Sequence, residues 1–232
     1  IFIQLIVFYF LSKFVSSSLF ANENILINNA FGYFLFGICI LDLSFTIIST
    51  LSIQIEEFKK VGVIEDIFSL PISPINYFIY SHIYSLLFAI FKLTIYIIAY
   101  MIISGFSEID IFFWLILSMI IIFSLLCFIG ISLIAISFTI LYYRGTWVSA
   151  FHNLICTLFG GVIYPPTLIH EAAVYLKYIL PAVPTIELLR ANFHIYSFIQ
   201  HNFIFENMII LIFQSLIYFL IGYYFLKFSL NK

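Results

Sequence analysis

Charge is what this 232-residue chain has least of: only 9% of its residues are Asp, Glu, Lys or Arg, against about 25% in water-soluble domains. That excludes a solvated surface for most of its length. Cysteine is also sparse. Cys39, Cys127 and Cys156 are odd in number, lie inside apolar runs and form no Cys-x-x-Cys pair, so they read as buried free thiols rather than a disulfide framework or a metal site. No G-x-x-x-x-G-K-[ST] loop is present to cradle phosphates, and no G-x-S-x-G nucleophile elbow. His170-Glu171 begins an H-E-x-x-H zinc helix but Val174 stands where the second histidine would be. No carboxylates cluster at one depth. No catalytic residue and no metal ligand is therefore assigned, an enzyme is not expected, and neither is a nucleic-acid partner.

What the chain does have is apolar length: 64% of it is hydrophobic and 21% aromatic, with a mean hydropathy of +1.19. A helix needs roughly 20 apolar residues to cross a hydrocarbon core about 30 Å thick. The runs here are of that length, unlike the roughly ten-residue alternating segments of an outer-membrane barrel. The expected fold is an all-α membrane protein, one transmembrane domain over 1–232, with six transmembrane helices at about 1–15, 31–53, 77–104, 111–141, 147–164 and 203–226. The chain opens on Ile1 inside an apolar run, so a longer N-terminus is expected.

Basic residues set the orientation. Lys59, Lys60, Arg144, Lys227 and Lys232 fall on one side of these spans, and Lys13, Lys177 and Arg190 on the other. The richer side is expected to be cytoplasmic, which puts both termini inside. Trp114 and the Tyr142-Tyr143 pair suit the interfacial aromatic belts. Ser73-Pro74 reads as an N-cap followed by a first-turn proline, starting the third span.

Six of the charged residues crowd into 56–66. Read as a surface helix over about 56–70, this segment places Phe58, Val61, Ile64, Ile67 and Phe68 on one stripe and turns Glu56, Lys60 and Asp66 away. Such an element either receives a push from a soluble partner or lies on the headgroups. At the far end, Gly160 to Pro166 breaks the fifth span. The segment 167–202 that follows is too long and apolar for a bare loop. Two short helices over about 167–193, dipping into the outer leaflet as a re-entrant hairpin backed by protein, would satisfy its backbone.

Gly62-x-Ile64-Glu65-x-Ile67-Phe68-x-x-Pro71-Ile72-Ser73 resembles the G-[TS]-[LI]-E-x-[LI]-L-x-x-P-[LIV]-S signature between spans two and three of ABC-2 type permeases, the membrane subunits of ATP-driven exporters. A second stretch, Gly161-Val162-Ile163-Tyr164-Pro165, then Tyr175-Leu176, Pro181, Ile186-Glu187 and Arg190, resembles the region before the last span of that family. The likeness covers nearly the whole chain. Lys59 and Lys60 stand where the family has an acidic residue before the glycine, and the proline of its next motif is replaced around Ile169 to Ala172.

The resemblance implies that an ATP-binding cassette subunit in the cytoplasm binds ATP and Mg²⁺, with no cofactor on this chain. It implies a second permease copy or a homologous permease, meeting this one across spans one and five in the plasma (inner) membrane. Phe58, Gly62, Ile64, Glu65, Asp66, Ile67 and Phe68 would form the coupling helix docked on the ATPase, and the acids among them could equally be a solvated face. Gly161, Pro165, Pro166, Glu171, Glu187 and Arg190 would form the outer gate or re-entrant region, where Glu187 and Arg190 at i and i+3 also suit an ion pair.

Asp42 and Lys92 are the sharpest intramembrane signal. Each lies, by helical rise, about 20 Å from the same end of neighbouring antiparallel spans. An ion at the bilayer centre costs roughly 2.5–3.5 kcal/mol on insertion scales and finds relief in a partner. They are expected to bridge spans two and three, to line a substrate path, or never to meet. The alternative to an ATP-driven exporter is an ATP-independent proton- or ion-coupled carrier using these two residues.

Overall fold

A computed structural model describes residues 2–14, 30–62, 69, 71, 73–104, 111–142, 144–163, 171–195 and 201–231. Seven α-helices occur among them: α1 (Phe2–Phe14), α2 (Ala30–Val61), α3 (Pro74–Ser104), α4 (Ile111–Tyr142), α5 (Thr146–Phe159), α6 (Ala182–Asn192) and α7 (His201–Leu230), with a 3-10 helix at Glu171–Tyr178 before α6. No strand is present among the described residues. Four helices, α2, α3, α4 and α7, are long and apolar enough to cross a membrane. The other two expected spans are shorter. α1 has 13 residues and α5 has 14, and 14 residues rise only about 21 Å.

The register of side chains fixes how the long helices run. Going along α2, Gly32 abuts Tyr100 and then Asp42 meets Lys92, so α3 runs antiparallel to α2. α4 and α7 run parallel: Cys127 donates to the Leu211 carbonyl, Gly130 lies on the backbone of Tyr218, and Phe138 stacks on Phe225. α4 and α7 form the most extensive helix pair. The molecule thus has a Gly62 end, where α2 and α4 finish, and an Arg190 end, where α2, α4 and α7 begin.

Sequence explains the boundaries. Asn76 donates its N–H to the Ser73 hydroxyl at 3.4 Å, so Ser73 caps α3 and Pro74 occupies its first turn, where a missing N–H costs nothing. α2 needs a correction. The surface helix expected over about 56–70 does not begin afresh at residue 56, because α2 continues unbroken through Val61. Gln54 to Lys60 contains no helix breaker, and the helix stops at Gly62, whose φ of +82° is left-handed and suits glycine. Similarly α5 ends at Phe159 rather than near 164, because Gly161 turns left-handed at φ +69°.

α6 is not a surface loop. Except for Glu187, which is partly exposed, its residues are buried against α2, α4 and α7. It closes in a Schellman motif, with Ile195 N–H on the Arg190 carbonyl at 2.9 Å and His194 N–H on Ala191 at 3.1 Å. Just past it, the Phe193 ring stacks on Phe36 at 4.5 Å and meets Phe113 and Tyr100 edge-on at 5.0 and 5.3 Å. That aromatic knot ties α2, α3 and α4 together at the Arg190 end. At the other end Leu51, Ile55, Phe78, Leu133, Ile136 and Leu226 form a second buried cluster.

Candidate functional site

Among the described residues, three centres built on charged side chains interrupt the apolar body, one midway along the helices and one at each end. In the middle, Lys92 of α3 donates to the Asp42 carboxylate of α2 at 3.0 Å and to the Thr46 hydroxyl at 3.0 Å. The Tyr96 hydroxyl reaches the other carboxylate oxygen at 3.4 Å, and Thr46 is itself held by the Asp42 carbonyl at 2.6 Å. The Lys92 ammonium also sits over the Phe88 ring at 5.0 Å. Asp42 and Lys92 are thus brought together. Thr46 and Tyr96 join them, one turn from Asp42 and from Lys92 respectively, a spacing readable in the sequence once the pair is known. The two charged side chains keep 20% and 17% of their surface, so the pair is neither sealed nor open.

That geometry gives a testable expectation. Lys92→Leu alone strands Asp42 and should lower thermal stability by about 3 kcal/mol, the cost of an unpartnered ion at this depth. The double variant Asp42→Leu/Lys92→Leu should recover most of that loss. Thermal unfolding in detergent checks both, and transport measured on the stable double variant separates a purely structural bridge from a path residue: transport survives the first and fails in the second.

At the Gly62 end, the last turns of α2 grip the corner between α4 and α5. The Glu56 carboxylate accepts the Thr146 backbone N–H and the Thr146 hydroxyl, each at 3.1 Å. The α5 N-cap residue, Gly145, supplies no side-chain cap of its own, so Glu56 caps α5 from another helix. Lys59 donates to the Ile140 carbonyl in the last turns of α4. An anion at a helix start and a cation at a helix end both suit the helix dipoles. The sequence alone turned Glu56 away from the apolar stripe and gave Lys59 no contact with another helix. Of the coupling residues it named, Phe58 lies in the last turn of α2 and Gly62 just beyond it, whereas Ile64, Glu65, Asp66, Ile67 and Phe68 lie outside the described residues.

At the opposite end Arg190 is buried to 2% exposure. Its Nε and Nη2 donate to the Tyr33 carbonyl at 3.2 and 2.7 Å, and Nη2 also to the Val162 carbonyl at 3.3 Å. The guanidinium lies 3.4 Å from the centre of the Tyr33 ring, whose hydroxyl donates to the Gly161 carbonyl at 3.1 Å. The ion pair with Glu187 does not form directly, because Arg190 points into α2. Burial pushes the Glu187 carboxyl up to about 7, against the pull of Lys177 and Arg190. Lys177 pairs with Glu206 at 2.7 Å. Gly161 is therefore part of this centre. Pro165 and Pro166 lie outside the described residues, as does the side chain of Glu171. Among the described residues no group of His, Cys, Asp and Glu could hold a metal ion.

Four long apolar helices, bound to their neighbours by polar contacts midway along their length and at both ends, define a multi-pass α-helical membrane protein. The sequence profile of the family described as ABC-2 type transporter matches residues 1–194, most of the chain, and the chain belongs to that family. It is a membrane permease of the ABC-transporter type. No curated protein and no solved structure matches the chain significantly.

Proposed function

We propose that this chain is the path-forming subunit of an ATP-driven exporter, with ATP hydrolysed by a separate ATP-binding cassette subunit that holds the ATP and Mg²⁺. The observation that carries the proposal is the family match over residues 1–194, which takes in the Gly62 to Ser73 signature. In this reading there are six spans, α1 and α5 counting with the four long helices. The segment 61–68 docks on the ATPase, with Phe58, Ile64, Ile67 and Phe68 as apolar anchors and Glu65 and Asp66 as ionic contacts. The 3-10 helix and α6 form the re-entrant hairpin on the outer side. The excess of Lys and Arg at the Gly62 end supports a cytoplasmic placement for that end and for both termini, in the plasma (inner) membrane.

A second permease copy, or a homologue, is proposed to meet this one across α1 and α5. Both helices carry an exposed apolar stripe at helical spacing: Ile3, Ile6, Val7 and Phe10 on α1, and Trp147, Phe151, Leu154 and Leu158 on α5. The Asp42–Lys92 centre, still partly accessible, supports the second reading, an ATP-independent proton- or ion-coupled carrier. Purification in mild detergent tests the first reading: a stoichiometric ATPase subunit is expected to accompany the chain. Reversing Glu65 and Asp66 to lysine should abolish transport and stimulated ATPase activity while leaving membrane insertion intact. Transport that persists without cellular ATP and follows the proton gradient would favour the carrier.

A further inference from the structure

The grip of α2 on the α4–α5 corner has no counterpart elsewhere among the described cross-helix contacts. It joins one helix to the end of a second and the start of a third through opposite charges. Glu56 and Lys59 are three residues apart and so face the same way. One accepts from the first N–H of α5, and the other donates to a carbonyl in the last turns of α4. α2 is continuous from Ala30 to Val61, and Leu51 and Ile55 just before the grip are buried in the cluster at this end. By contrast, a Cβ built on Gly62 would meet nothing within 4 Å. A rigid, anchored rod therefore ends at an unencumbered glycine.

From this arrangement we infer that Glu56 and Lys59 are positioning residues that carry displacement of the α2–α3 connection into the α4–α5 corner. The inference rests on the exporter reading above and deepens it. A force applied beyond Gly62 reaches α2 first. It cannot slide the end of α2 past the corner without breaking both contacts, so α4 and α5 must follow. The exposed residues Tyr142, Arg144 and Trp147 at that corner would then move with α2. Charge-assisted hydrogen bonds suit this task better than apolar contact, because they lose strength steeply with misalignment.

The test uses the chain in complex with its co-purified ATPase subunit in lipid nanodiscs. Nitroxide labels are placed singly on Ser69→Cys in the connection and Arg144→Cys at the corner. Both positions are exposed, whereas the native Cys39, Cys127 and Cys156 are buried and should stay unlabelled. ATP is expected to change label mobility at both positions in the otherwise native chain. Glu56→Ala should keep the response at 69 and lose it at 144. Glu56→Gln, which retains an acceptor oxygen, should restore the response at 144. Thr146→Val, which removes only the hydroxyl contact, should weaken it and serves where Glu56→Ala does not insert. A response at 144 that is unaffected in Glu56→Ala or in Thr146→Val overturns the inference while leaving the exporter reading intact. A native complex whose 144 label ignores ATP overturns it as well. Failure of any ATPase subunit to co-purify is a different result: it removes the exporter reading, and the inference with it.

Discussion

Gly222→Leu is expected to separate α4 from α7 and to cost about 3 kcal/mol or more of stability, the upper part of the range for overpacked cores. The two helices touch backbone to backbone at this level. A Cβ at Gly222 would lie 2.3 Å from the Gly130 carbonyl oxygen, and one at Gly130 would lie 2.4 Å from the Tyr218 carbonyl carbon. Neither neighbour is a flexible side-chain tip that could turn aside, so relief requires the helix axes to move. In a lipid environment apolar burial gives little drive for helices to associate, and close approach through small residues supplies van der Waals contact instead. The loss should therefore be large even though the substitution adds only apolar atoms. Gly130→Leu should behave alike, and Gly130→Ala should cost less. Thermal unfolding in detergent reads the effect, and an unchanged melting temperature for Gly222→Leu would mean that the helices do not approach this closely.

Neither glycine stood out in the sequence, where each is a single small residue in a long apolar run, and this marks where sequence reading stops. Helix length and apolar runs are local properties, so α4 and the start of α3 were legible to within a residue or so: Ser73-Pro74 is a cap that needs no partner to be recognised. The pairing of Asp42 with Lys92 was half legible. Depth along neighbouring spans could be counted, but which faces meet depends on helix rotation, and Thr46 and Tyr96 became visible only with that rotation known. The grip at the corner was not legible. Glu56 and Thr146 lie ninety positions apart in the chain, and on an isolated amphipathic helix Glu56 belongs on the wet side. Only the packing of α2 against α5 turns it inward.

Those misses share a cause. A membrane-embedded chain has few polar side chains, and each must find a partner or reach water. Composition shows that such partners must exist but not which helix supplies them. The partners found here are largely backbone groups: the Thr146 N–H for Glu56, and carbonyls for Lys59 and Arg190. Backbone groups are the same at every residue, so no sequence pattern advertises them. The glycines that let a neighbouring segment of the chain come close to a carbonyl are the nearest thing to a signal.

Arg190 is where that signal can be put to the test. Arg190→Ala is expected to lower stability by about 3 kcal/mol, because it deletes a buried, hydrogen-bonded cation and leaves a void against the Tyr33 ring. Desolvation of the guanidinium offsets part of what its contacts contribute, so Arg190→Met, of similar volume, should recover a share of the loss. Arg190→Lys should not. One ammonium cannot present two nitrogens to the Tyr33 carbonyl, bridge to Val162 and lie flat on the ring at the same time. Gly37 supplies the companion experiment. A Cβ there would sit 2.6 Å from the Val162 carbonyl oxygen and 3.1 Å from Arg190 Nη2, so Gly37→Ala should push the same groups apart from the other side. Because both substitutions break one set of contacts, their combined cost in a double-mutant cycle should fall well short of the sum of the separate costs. Additive costs would mean that Arg190 and Gly37 act independently, and that the docking of α6 on α2 does not depend on the guanidinium.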